Sequence, residues 1–116
     1  MRNIFVYGTL KKGFGLDYYL ESSAYVGKAK ISGALLYSFG SIPYVVETNN
    51  EEDVVYGEVY MVEQVDGEII DSIELASGYY VLKREAELDN GDKFECDVYF
   101  RPPSKYGVFI EDGEFR

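Results

Sequence analysis

The sequence predicts an α+β fold that is mainly β: a small mixed β-barrel with one or two short flanking helices. Three observations point there. The chain carries 12 Tyr and 7 Phe with no Trp, and aromatic and β-branched residues favour strands. Short apolar or alternating runs recur along it, bounded by Gly, Pro, Asn and Asp. A single stretch, 66–76, is the best helix candidate, with isoleucines at helical spacing. At 116 residues the chain can build one core but not two, so residues 1–116 are expected to form one domain.

Each element follows from its local pattern. Ile4-Phe5-Val6-Tyr7 reads as a buried strand that stops at Gly8, and Gly8-Thr9-Leu10 turns the chain. Gly15 to Leu20 is a short helical piece. Tyr25 to Phe39 is one bent strand or two, broken by Gly33, and Pro43 to Glu47 is short and extended. A polar turn, Asn49 to Asp53, precedes a strand from Val54 to Glu63. Asp66 to Ala76 is a helix with Ile69, Ile70 and Ile73 as its apolar stripe. Tyr79 to Leu88 and Phe94 to Arg101 form a hairpin, with Asn90-Gly91 supplying the turn. Pro102-Pro103 closes the core, and the tail from Ser104 reads as a poorly fixed edge.

Composition removes several function classes. A formal net charge of −10 argues against nucleic acid and anionic membrane as partners, leaving Lys11 and Lys12 as local sites for an acidic group. Cys96 is the single cysteine and there is no His. No internal disulfide, no zinc site and no Ser–His or Cys–His nucleophile pair is therefore expected. Cys96 lies in an alternating run and reads as a core filler. No apolar stretch could span a bilayer and the chain runs directly into its first strand, so cytoplasmic residence is expected.

Two features carry candidate chemistry. After Gly8 the backbone can aim successive N–H groups into one concavity able to hold a carboxylate or an oxyanion; an ordinary turn ending a buried strand is the alternative. Glu74 lies four residues beyond Ile70, on the flank of the isoleucine stripe, with Glu68 and Asp71 facing away. A carboxylate there is partly desolvated, which raises its pKa and suits it to proton transfer. Its alternative is a solvated residue near the helix end, one of 21 acidic side chains.

Val6-Tyr7-Gly8-Thr9-Leu10, Gly57-Glu58-Val59-Tyr60, Ile70-Asp71-Ser72-Ile73-Glu74 with Gly78-Tyr79-Tyr80, and Asp97-Val98-Tyr99 stand in the order of motifs that typify one family. The chain thereby resembles the γ-glutamylcyclotransferase-like (AIG2-like) proteins from Val6 to about Arg101. Two departures are Lys11, where Arg is frequent, and Leu75, where glycine usually follows the glutamate and whose bulk would tilt the helix end. The resemblance implies a small barrel and a lyase that converts a γ-glutamyl amide into 5-oxoproline with no metal and no cofactor. It implies Glu74 as the proton carrier, the backbone of Gly8, Thr9 and Leu10 as the holder of the glutamyl group, and Tyr7, Tyr80 and Tyr99 as pocket walls and hydrogen-bond donors. The expected partner is a small γ-glutamyl substrate, and the expected state a monomer or homodimer. A non-catalytic module binding a small ligand or a protein on the same fold is the alternative.

Overall fold

In the computed structural model, which describes residues 1–8, 20 and 23–115, the elements are β1 (Arg2–Val6), β2 (Ala24–Ser32), β3 (Ala34–Phe39), β4 (Ile42–Glu47), β5 (Val54–Val62), α1 (Gln64–Ala76), β6 (Tyr80–Leu88), β7 (Lys93–Phe100) and β8 (Val108–Phe109). The fold is mainly β with one helix among the described residues. The short helical piece expected at 15–20 falls, but for Leu20, outside the described residues.

Five strands run in the order β1-β5-β2-β6-β7 and close into a barrel. Closure rests on a parallel contact between β1 and β7, with Ile4 opposite Asp97; the other pairings are antiparallel. The run Tyr25 to Phe39 is two strands, β2 and β3, and Gly33 between them has φ +74°, a conformation that glycine takes at little cost. A three-stranded sheet, β4-β3-β8, stands beside the barrel. β3 and β4 pair as a local hairpin, Phe39 opposite Ile42, while β8 joins from far along the chain. The sequence did not separate this sheet from the barrel, because which hairpins share a sheet is set by long-range pairing.

The continuous apolar runs reflect burial on both faces. Phe5 on β1 and Tyr7 just past its end enter one core inside the barrel, while Ile4 and Val6 enter a second core that receives α1. β5 divides likewise, with Val55 and Val59 inward and Tyr60 and Val62 outward, and β7 sends Val98 and Phe100 one way and Tyr99 the other. This is the two-residue strand period with both faces covered. Cys96 is a buried member of the inner core, and burial pushes its thiol up to about 12. No helix among the described residues is long and apolar enough to cross a membrane.

The tail departs from expectation. β8 pairs with β3 through Tyr37 opposite Phe109, Ile110 N–H donates to the Leu36 carbonyl at 2.9 Å, and Tyr56 N–H donates to the Gly113 carbonyl at 2.8 Å. These fastenings are backbone bonds, which a polar and unpatterned sequence does not advertise.

Candidate active site

The site is built where β1 ends against the last turn of α1. A cavity of about 30 Å³ opens there, and its walls include Tyr7, Gly8, Pro43, Glu74, Tyr79 and Tyr99. That volume holds one or two waters or the polar end of a ligand. Glycine at position 8 is required by proximity: a Cβ would stand 2.2 Å from the Pro43 Cγ. Thr9 and Leu10, expected to supply further backbone N–H groups, lie outside the described residues.

α1 presents Glu74 through the way it stops. Gly78 N–H donates to the Leu75 carbonyl at 3.2 Å and Tyr79 N–H to the Glu74 carbonyl at 3.1 Å, with Gly78 at φ +91°. This is the Schellman arrangement, in which the second residue past the cap folds back over the last turn. It brings Tyr79 beside Glu74. Leu75, at 50 % exposure, turns outward, and the helix continues to Ala76, so its bulk does not remove Glu74 from the cavity wall.

Glu74 has no salt-bridge partner among the described residues. Burial pushes its carboxyl up to about 7, and its place at the negative end of the helix dipole acts in the same sense. It is thereby divided between acid and base forms at neutral pH. The phenols around it stay protonated. Burial, then the Glu74 charge, lifts Tyr79 to about 12, and burial also raises Tyr7 and Tyr99.

Those phenols are walls and braces, with their protons committed inward. Tyr7 donates to the Tyr99 carbonyl, Tyr79 to the Pro43 carbonyl, and Tyr99 to the Asp71 carboxylate. The expectation that Tyr80 lines the site is corrected: Tyr80 stacks on Phe100 and donates to the Glu47 carboxylate at 2.8 Å, and Tyr79 is the wall instead. Its signal was Gly78, since a glycine just past a helix end fixes which residue folds back.

Asp71 was expected to face away. It faces inward and accepts both terminal guanidinium nitrogens of Arg2, at 2.7 and 3.0 Å, while the Arg2 Nε donates to Asp97 at 2.9 Å. Gly67, one turn earlier, leaves room for that guanidinium, because a Cβ there would lie 2.8 Å from the Arg2 Cδ. Lys83 completes the cluster on Asp97 at 2.9 Å. The latch ties helix, first strand and Tyr99 wall together. Arg2 carried no local signal, because its partners lie far along the chain. Among the described residues, no three His, Cys, Asp or Glu side chains gather as a metal site.

Comparison with known proteins gives this geometry its context. The family model described as "Gamma-glutamyl cyclotransferase, AIG2-like" matches residues 4–116. The chain belongs to the gamma-glutamyl cyclotransferase, AIG2-like family. It is 37% identical over 118 residues to the protein MJ1514 of Methanocaldococcus jannaschii, covering 100% of this chain and 97% of that one. Among solved structures it is similar to PH0828 of Pyrococcus horikoshii, with a TM-score of 0.80 at 31% identity, covering 99% of this chain and 90% of that one. An AIG2-like protein of Mus musculus shares the fold, with a TM-score of 0.74 at 24% identity over 91% of this chain and 78% of that one.

Proposed function

We propose that the protein is a γ-glutamyl cyclotransferase that closes a γ-glutamyl amide to 5-oxoproline and releases the free amine. The observation that carries the reading is a carboxyl with no salt-bridge partner among the described residues, Glu74, raised to about 7 and sharing one cavity wall with Gly8. The substrate supplies its own nucleophile. Glu74, ionised, takes a proton from the substrate α-ammonium, and the freed amine attacks the γ-carbonyl carbon to close the five-membered ring. Glu74 passes that proton to the leaving nitrogen as the tetrahedral carbon collapses and its bond to that nitrogen breaks. It then takes the second proton from the ring nitrogen, giving the neutral lactam, and hands it to the departing amine, which leaves as its ammonium form. Charge and atoms balance with no nucleophilic side chain, which suits a chain without His.

The protein's other task is orientation. A wall braced at Tyr7, Tyr79 and Tyr99 fixes the space in which amine and carbonyl meet, and such pre-orientation offsets much of the barrier. We take the backbone N–H groups of Gly8, Thr9 and Leu10 as the donors for the developing oxyanion. We assign the activity to the cytoplasm, where a chain with one buried thiol needs no disulfide.

The test is release of 5-oxoproline from a panel of γ-glutamyl amino acids and γ-glutamylamines. Glu74→Gln should lower kcat by about 10²- to 10⁴-fold, the usual worth of a positioned proton carrier, with the fold intact by circular dichroism. In the parent, kcat/KM should fall as pH drops through about 7, since the base form is lost. Undiminished turnover by Glu74→Gln removes the assigned role; no turnover across the panel leaves a binding module.

A further inference from the structure

We propose that Arg101 and the groove beside the cavity form the leaving-group site, and that they select an amine carrying both a carboxylate and an apolar side chain. The inference rests on the cyclotransferase reading for what enters the cavity. The cavity's 30 Å³ or so admits a polar end and no more, so the rest of any substrate lies outside it. The adjacent groove measures about 540 Å³ and is walled by Phe39, Ile42, Tyr44, Pro102 and Tyr106, with Arg101 among them.

Arg101 joins the two spaces. Its guanidinium lies over the Tyr79 ring at 5.3 Å and the Tyr44 ring at 5.9 Å. Tyr79 is a wall of the cavity and Tyr44 a wall of the groove. The positive charge is felt at both Tyr79 and Tyr7, where it opposes the upward pull of burial. No carboxylate among the described residues forms a salt bridge with Arg101. The Tyr79 hydroxyl takes one side-chain hydrogen bond from that guanidinium, and the planar fork of its other N–H groups matches a carboxylate.

Charge and shape agree on the occupant. In a chain of net charge −10, this groove has a cation and, among the described residues, no acidic side chain in its lining. Phe39, Ile42 and Tyr106 stand exposed along it and offer an apolar bed. In a γ-glutamyl α-amino acid, the leaving group's carboxylate carbon is two bonds from the scissile nitrogen. With the amide in the cavity, that carboxylate meets Arg101 and its side chain lies along the groove.

The experiment compares γ-glutamyl-phenylalanine with γ-glutamyl-phenethylamide, which lacks only the carboxylate, by calorimetry on the Glu74→Gln protein. The acid should bind at least about tenfold more tightly, in the range of a charge-assisted hydrogen bond. Arg101→Gln should remove that difference while leaving the amide's affinity within about twofold, and Arg101→Lys should restore part of it. Equal affinity for the two ligands on the Glu74→Gln protein overturns the proposal without any change at position 101. So does failure of both to bind, including the case where a second copy covers the groove in a dimer. Turnover by the parent protein separates the two readings. Release of 5-oxoproline from both ligands at equal kcat/KM keeps the reaction and removes the groove. Arg101-dependent binding without 5-oxoproline keeps the groove and removes the reaction.

Discussion

Asp71 and Glu74 stand three residues apart on one helix and meet opposite environments. Asp71 enters a nest of donors, and the Arg2 guanidinium, helped by the Tyr99 hydroxyl, holds its carboxyl below the usual carboxylate range against the cost of burial. Glu74 is half-buried and has no salt-bridge partner among the described residues, and its carboxyl rises to about 7. One carboxylate is spent on holding the helix in place; the other is left costly, and therefore reactive. The contrast shows that partners, more than depth, decide what a buried acid does. The first serves the second, because the Arg2–Asp71–Tyr99 latch fixes the helix turn and the wall between which Glu74 sits.

The largest test of this contrast in stability is the removal of Glu74's charge. Its raised pKa means that the folded state holds a proton which the unfolded chain loses near 4.5. Its contribution is therefore complete below about 4.5, declines as pH rises through about 7, and is absent above. Glu74→Gln should thus be more stable than the parent at pH 8.5, by on the order of 2–3 kcal/mol, and nearly equal to it at pH 4. Denaturant unfolding at both pH values measures this, and a gap independent of pH would break the comparison.

The second test falls on the partnered acid. Asp71→Ala strands the Arg2 guanidinium on one side and should cost about 2 kcal/mol at pH 7. The pair is part-exposed, which keeps the loss below that of a fully buried ion pair. The sign is opposite to Glu74: a lowered pKa gives stability that is present above 3.8 and lost as pH falls below it. The deficit of Asp71→Ala should therefore shrink toward pH 2. A deficit that persists there would mean packing, not charge, is at stake.

The smallest effect is expected at Tyr99. Tyr99→Phe keeps the ring and removes the hydroxyl bond to Asp71, a change worth about 1 kcal/mol. It should also raise the Asp71 pKa, which carboxyl NMR titration would record, while Glu74 titrates as before. Movement of both carboxyls together would show the latch and the cavity to be one unit.

Much of the fold was legible because its signals are local. Alternation along β1 and β7, the helical spacing through Ile70, and Asn90-Gly91 in the hairpin each declare themselves within a few residues. Even so, only Ile70 of the three isoleucines is fully buried, and Ile69 stands 44 % exposed, because the helix packs along a narrower stripe than the spacing implied. The tail escaped for the converse reason, being held by backbone bonds that leave no mark on side-chain pattern.

By itself the sequence determined the strand-rich chain, the helix that bears Glu74, the glycine at position 8 and the absence of a histidine nucleophile. Each of these follows from residue type and short-range spacing. Only the tertiary structure decided that Tyr79 rather than Tyr80 walls the cavity, that Asp71 turns inward to Arg2, and that Arg101 bridges cavity and groove. Those outcomes depend on contacts between segments tens of residues apart and on how the chain leaves α1, and neither the charge of a side chain nor its neighbours in sequence encode them. The pKa of a carboxylate belongs to the same class, since it is set by what the fold places around it.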